Sequence, residues 1–294
     1  ARQTLWKAGG VYLVTGGLGG LGRVFAADIA RHAASATLVL TGRRELDEAG
    51  RQPLRALEAL GARVDYRVLD VADRQAVQQA VLQIQEDHQA LDGILHAAGV
   101  IQDSLLLRKT EEQVRAVLSA KVNGLVHLDE ASRDIALDCF LGFSSISTAL
   151  GTLGQTDYAA ANGFMDAYLE LRDERVAQGS RHGRSLSINW PLWKHGGMQV
   201  DAAIEKAVEQ STGMLPMPSD DGLLALERIV AQGSRRAMVL HGHPAVRDCA
   251  VFGVPDAVDG ESVIAAVSAD GVTDTELIDL VGARLSSYKR PRRV

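Results

Sequence analysis

Seven short runs of apolar and β-branched residues recur along the chain, at Val11–Thr15, Thr37–Leu40, Val64–Leu69, Gly93–His96, Cys139–Phe143, Leu186–Asn189 and Ala237–Leu240. Amphipathic stretches such as Gln75–Asp87 and Glu111–Arg133 lie between them. Strands that are apolar almost throughout, alternating with helices, predict an α/β fold: a doubly wound parallel sheet covered on both faces. Ligands of such sheets bind outside the carboxyl ends of the strands. The segments just after each strand are therefore where chemistry is expected.

The pattern changes near His243. Pro244, Pro255 and several glycines punctuate two short β-like runs, and Asp274–Leu285 then reads as a helix. This predicts a small α+β (ββα) unit outside the alternating pattern, with residues 1–242 as the main domain and 243–294 as the second. The chain starts at Ala1 and stops after a basic stretch at Val294, and both ends look cut from something longer. Of 294 residues 46% are hydrophobic and 23% charged, an ordinary globular balance, and the net charge of −6 is spread without a basic stripe. Nucleic acid and anionic membrane are therefore not expected as partners. No signal peptide or long apolar span is evident, and Cys139 and Cys249 follow no metal or disulfide spacing. Together these point to a reducing cytoplasmic setting with free buried thiols and no metal site.

The first strand runs into Thr15-Gly16-Gly17-Leu18-Gly19-Gly20-Leu21-Gly22 at the start of a helix. Glycines allow a sharp turn and close backbone approach to a pyrophosphate, and the helix amino terminus supplies N–H groups and positive potential. A loop that simply closes a strand–helix turn is the plainer alternative. The second strand ends in Thr41-Gly42-Arg43-Arg44. A carboxylate here would suit the ribose 2′-hydroxyl of NAD, whereas two arginines suit a 2′-phosphate and so NADPH, Arg43 ahead of Arg44. Solvated loop charge is the other reading of this pair. Asp70-Val71, after the third strand, would accept from an adenine amino group, with a helix N-cap as the equal alternative for Asp70.

Hydride reduction of a carbonyl creates an oxyanion, so such a site needs an acid, a second donor to the oxygen and a cation that tunes the acid. Ser144, Ser145 and Ser147 follow the fifth strand, Tyr158 and Asn162 share one helix face at i, i+4, and Lys121 lies in the preceding helix. The ordered motifs TGGLGGLG, DGILHAAGV, KVNG, FSSIS and DYAAANGF resemble ketoreductase domains of modular polyketide and nonribosomal peptide synthetases, over roughly residues 8–241. The resemblance implies a Rossmann-like fold of the short-chain dehydrogenase type. It implies Tyr158 as proton donor, Ser145 as the carbonyl hydrogen-bonder, and Lys121 and Asn162 as the rest of a tetrad. Common short-chain dehydrogenases carry Lys four residues after Tyr; here that place holds Asn162, the exchange typical of synthase ketoreductases. Lys121 is then expected to lower the Tyr158 pKa. The same likeness places Ala97, Ala98, Gly99 and Pro191 beside the cofactor, and Asp103, Gln102, Leu150 and Met198 beside the substrate. Ile101-Gln102-Asp103 stands where one stereochemical class has Leu-Asp-Asp, with Gln102 departing from it, and Leu150 stands where the opposite class has Trp. The B-type class is thereby favoured. His96 reads as strand-end packing and Lys194 and His195 as exposed loop charge, while Pro191-Leu192-Trp193 stands where such folds cover the nicotinamide, with simple packing as the equal alternative for Trp193.

Residues 243–294 resemble the small carboxy-terminal subdomain of adenylate-forming enzymes, through His243-Pro244-Ala245-Val246, Val251-Phe252-Gly253-Val254-Pro255-Asp256 and Tyr288-Lys289-Arg290-Pro291. That family's catalytic lysine lies beyond the last motif, so Lys289 is not that residue and the fragment is expected to be structural. An ordinary ββα extension is the alternative. A reductase beside an adenylation piece resembles depsipeptide synthetases. The expected substrate is then an α-ketoacyl thioester on the phosphopantetheine of a carrier domain, with an adenylation core in the same synthetase. The alternatives are β-ketoacyl reduction in a polyketide or hybrid module, and a non-catalytic domain.

Overall fold

The computed structural model describes residues 5–197, 205–206, 209, 214–242, 246–256 and 260–269. Seven parallel strands, β1 (Val11–Thr15), β2 (Thr37–Gly42), β3 (Arg63–Val68), β4 (Gly93–His96), β5 (Cys139–Ser145), β6 (Arg184–Trp190) and β7 (Arg236–Leu240), lie in the order β3-β2-β1-β4-β5-β6-β7. Their boundaries fall within two residues of the predicted ones. The order reverses between β1 and β4, where an open α/β sheet offers a crevice beyond the strand ends.

Helices cover both faces. On one side α1 (Gly20–His32), α2 (Glu48–Ala59) and, late in the chain, α8 (Ser219–Ala231) close a core containing Phe25, Ile29, Leu57, Leu186, Trp190, Leu226 and Ile229. On the other, α3 (Arg74–His88), α5 (Gly124–Ala131) and α7 (Thr156–Ala177) pack Val77, Ile84, Leu125, Leu128, Met165 and Leu169 onto Leu13, Ile94 and Phe140. Two covered faces explain why β1, β2, β4 and β5 read as nearly unbroken apolar runs, whereas β3, exposed or half-buried along its length, includes Asp65 and Arg67. Local signals start several helices: Asp47 caps α2, Asp73 caps α3, and Thr110 with Gln113 forms a capping box on α4 (Glu111–Leu118).

The amphipathic run expected as one helix over 111–133 is divided. Between α4 and α5 the backbone widens into a π turn at Ser119–Asn123, which carries Lys121. A short helix, α6 (Ser147–Leu150), follows β5. Beneath α7, the buried Asp129 carboxylate accepts from Arg172 Nε at 2.8 Å and Arg181 Nε at 2.9 Å, tying α5 to the chain entering β6. Each buried charge there is paired, as burial demands.

The two β-like runs of the tail form β8 (Val246–Asp256) and β9 (Gly260–Ala269), longer than their sequence suggests. They continue the sheet: β8 pairs antiparallel with β7, Met238 opposite Val251, and β9 pairs antiparallel with β8. The expected helix at 274–285 and the Tyr288–Pro291 motif lie outside the described residues.

Candidate active site

A cleft of about 440 Å³ opens at the carboxyl ends of β1, β4, β5 and β6. Its wall includes Gly19–Gly22, Ala97, Gly99, Ile101, Asp103, Lys121, Ser144, Ser145, Gln155, Tyr158, Pro191 and Trp193. The fold thus gathers six segments from widely separated parts of the chain onto one concavity.

The glycine turn is built by close backbone approach. Gly16 sits at φ 64°, and a Cβ there would lie 2.9 Å from Ala98 Cα; one on Gly22 would lie 2.3 Å from the Gly16 carbonyl oxygen. Gly19 N–H donates to Gly16 O at 2.8 Å, and the first bond of α1 runs from Arg23 N to Gly19 O. The amides of Gly20, Leu21 and Gly22 precede that bond, so the helix leaves them for another acceptor. No acidic residue occupies the first turn of α1. A cradle of glycine backbone and helix-end amides fits a dinucleotide pyrophosphate. Thr15, Gly16, Gly17, Leu18 and Ala98 form the base of this turn and do not line the cleft; Gly17 N–H donates to Thr41 O and Ala98 N–H to Thr15 Oγ1. The loop after β6 lies close above, since a Cβ on Gly20 would come within 2.0 Å of the Gly196 backbone.

Arg43 and Arg44 are exposed beyond the end of β2, at the crevice edge rather than in the cleft wall. Tyr66 Oη donates to Arg44 O at 2.7 Å and fixes that corner. Asp70 is exposed and accepts from Ala72 N at 3.0 Å in a local turn, while Asp73 is the cap of α3. The N-cap alternative for Asp70 therefore moves three residues on. Val71 is buried and packs against the start of α5, where a Cβ on Gly124 would touch it at 2.7 Å.

The tetrad converges. Tyr158 is 8% exposed, and both Ser145 and Asn162 favour its phenolate. Asn162 Nδ2 donates to Tyr158 O at 2.8 Å, one turn along α7, while its buried Oδ1 has no donor in hydrogen-bond geometry. Ser145 Oγ accepts from Ser147 N at 3.2 Å. Lys121 Nζ is buried, donates to Phe143 O at 2.8 Å and stands 5.4 Å from the centre of the Tyr158 ring. Burial lowers the Lys121 pKa from 10.5 to about 8, partly opposed by the Asp166 charge. The Tyr158 pKa does not fall as expected from Lys121. Burial raises it above 10.0 against the pull of Asn162 and Ser145, and the Asp103 carboxylate adds to the rise. The phenol thus keeps its proton at neutral pH, as a proton donor requires.

His96 is fully buried between the glycine turn and the π turn, with Nδ1 2.8 Å from Thr15 Oγ1. Desolvation, then the Lys121 charge, pushes its pKa down to about 3, so it packs as a neutral ring. Lys194 and His195 are exposed; Trp193 is buried against Phe25 and Trp190 and also borders the cleft. Of the expected substrate-side residues, Asp103 lines the cleft, Gln102 and Leu150 do not, and Met198 lies outside the described residues. Among the described residues, no cluster of His, Cys, Asp and Glu is arranged to hold a metal, and no helix is long and apolar enough to cross a membrane.

Sequence reasoning did not find the polar layer behind the cleft. Asn189 Nδ2 lies within hydrogen-bond reach of Ser144 Oγ at 3.1 Å, Ser145 O at 3.1 Å, Thr148 Oγ1 at 2.9 Å and Asp166 Oδ2 at 2.8 Å, and its two N–H groups are shared among them. Asp166 Oδ1 accepts from Ser187 Oγ at 2.6 Å. A signal was present in retrospect: Tyr158, Asn162 and Asp166 form a polar i, i+4, i+8 stripe on α7.

The KR domain family matches residues 10–195, and the AMP-binding enzyme C-terminal domain matches residues 238–294. The chain is 46% identical over 237 residues to polyketide synthase PksN of Bacillus subtilis, covering 81% of this chain and 4% of that protein. It is 43% identical to polyketide synthase ThaG of Burkholderia thailandensis, over 80% of this chain and 4% of that protein. It therefore spans a small fraction of the length of these relatives. Among solved structures, a ketoreductase domain from the bacillaene assembly line superposes with TM-score 0.81 at 45% identity, covering 83% of this chain and 58% of that one. An A-type ketoreductase from a modular polyketide synthase superposes with TM-score 0.71 at 32% identity, covering 82% and 49%.

Proposed function

Because the chain belongs to the KR domain family, ketoreductases with the nicotinamide-binding fold of short-chain dehydrogenases, we propose that it reduces a carrier-bound α-ketoacyl thioester to the α-hydroxyacyl thioester with NADPH. The observation that carries the reductase part is the convergence of Tyr158, Ser145 and Lys121 on one cleft beside the glycine cradle. The α-keto assignment rests on the adenylation-type match at 238–294.

NADPH, when bound, supplies the hydride to the carbonyl carbon. Gly19–Gly22 and the first amides of α1 would hold its pyrophosphate, Arg43 and Arg44 its 2′-phosphate, and Ala97, Gly99 and Pro191 would border its nicotinamide end. Tyr158 then donates its phenolic proton to the oxygen that gains negative charge, and Ser145 donates a hydrogen bond to the same oxygen. Lys121, its ammonium 5.4 Å from the centre of the Tyr158 ring, would lend positive charge to the phenolate left behind. Asn162 holds the first turns of α7 together beneath Tyr158. In this reading residues 1–242 are the catalytic domain and 243–294 a structural extension, to which the pairing of β8 with β7 lends support. The substrate arm would come from a carrier domain, and an adenylation core would adjoin in the same synthetase.

Reduction of a β-ketoacyl thioester is the second reading, favoured by the polyketide synthases among the relatives. The two are separated by offering matched α-keto and β-keto acyl groups on a phosphopantetheinylated carrier protein with NADPH. Faster turnover of the α-keto group is expected; preference for the β-keto group overturns the assignment.

A further inference from the structure

The edge of the cleft formed by Ile101–Ser104 is fastened to the beginning of α7 at three points. Ser104 N–H donates to Gly154 O at 3.1 Å, and Gln155 Nε2 donates to Asp103 Oδ2 at 2.9 Å. The third fastening is an ion pair. Lys109, between the turn Leu106–Arg108 and α4, donates from Nζ to Asp157 Oδ2 at 2.8 Å and to the Gln102 carbonyl at 2.5 Å. The other carboxylate oxygen, Asp157 Oδ1, accepts from Tyr158 N at 2.9 Å. The side chains of Lys109 and Asp157 are 1% and 3% exposed, although both stand in or beside connecting loops. A lysine on a loop ordinarily keeps its ammonium in water. Burial is tolerated when the charge is paired and hydrogen-bonded, and here the ammonium has a carboxylate and a carbonyl as acceptors. Neither side chain lines the cleft.

We infer that Lys109 and Asp157 are positioning residues, one buried ion pair that holds the Gln102–Asp103 edge of the cleft in register with the turn of α7 bearing Tyr158. The chain of contacts runs from the Gln102 carbonyl through the ammonium and the carboxylate to the Tyr158 amide. Loosening it frees the substrate's flank relative to the proton donor. The ketone can then present either face to the hydride, and the configuration of the alcohol becomes less uniform. This consequence rests on the ketone-reductase reading above; the mechanical link does not.

Lys109→Met, Asp157→Asn and their combination test both parts in the full chain. Hydrogen–deuterium exchange of the 101–109 and 154–158 amides reads the link without turnover, and faster exchange in both segments is expected in each single variant. In steady-state assays on keto thioesters, kcat/KM should fall about tenfold to a hundredfold, the scale of a misplaced reacting group. The minor alcohol should rise several-fold while the KM for NADPH stays unchanged. The double variant should be no worse than the worse single one, because the two residues act as a unit. The milder Asp157→Asn, which keeps the shape and one acceptor, serves if Lys109→Met does not fold. Unchanged exchange in both segments, or a lowered melting temperature with the wild-type alcohol ratio, overturns the inference. A wild-type chain that reduces no ketone would instead refute the reductase reading, and exchange would still judge the link.

Discussion

Lys121 allows a prediction whose size and sign follow from its surroundings. Its ammonium is buried, with one carbonyl acceptor at 2.8 Å, and burial brings its pKa from 10.5 to about 8. At about 1.4 kcal/mol per unit, the folded chain disfavours the ammonium relative to the neutral amine by about 3 kcal/mol. The folded pKa is depressed, so between pH 8 and 10.5 the unfolded chain binds more protons, and stability rises with pH across that window. Below about pH 8 the cost is fully present. Lys121→Met keeps a long flexible apolar stem and removes the charge. It also loses the bond to Phe143 O, a loss of about 1–2 kcal/mol. At pH 7 the variant should therefore be more stable than wild type by about 1–2 kcal/mol. Its turnover should fall by about two to four orders of magnitude. Paired urea titrations at pH 7, 9 and 10 measure this, because subtracting the two curves cancels the ionisations that do not interact with Lys121. The stability advantage should shrink as pH passes from 8 towards 10. A variant less stable than wild type at pH 7, or an advantage that does not change with pH, refutes the reasoning.

Arg43→Ala and Arg44→Ala should raise the KM for NADPH about tenfold or more, on the scale of a lost charge-assisted bond, and leave that for NADH unchanged. Steady-state comparison of the two nucleotides measures this, and equal wild-type efficiency with both would contradict a 2′-phosphate site. Asn189→Ala withdraws the donor shared by Ser144, Ser145, Thr148 and Asp166, leaving a buried carboxylate short of a partner. It should cost about 1–3 kcal/mol of stability and lower kcat with little effect on NADPH affinity by fluorescence titration. Unaltered kcat would show that the polar layer supports the fold alone.

The inner strands of the sheet were legible because they are buried on both faces, so composition alone marks them. Val11–Thr15 and Gly93–His96 appear in the structure with their expected limits. Tyr158 and Asn162 were legible because helical periodicity fixes which residues share a face. The π turn at Ser119–Asn123 was not, since a single widened turn leaves no periodic mark in a short amphipathic run. Nor was the rise in the Tyr158 pKa. Sequence supplies a nearby cation but not the depth of burial or the Asp103 carboxylate that oppose it.

The residues that sequence missed share a physical reason. Lys109 and Asp157 are forty-eight positions apart, and Asn189 reaches Ser144 across forty-five. Each is a polar type that composition assigns to the surface, and each is buried because the fold supplies partners that no local pattern encodes. Lys109, Asp157 and Asn189 lie near the cleft but not in its wall. The residues that meet the reactants can be recognised as a motif, because chemistry restricts their type. Those that hold them need only be complementary to one another, and complementarity is visible only once the chain has folded.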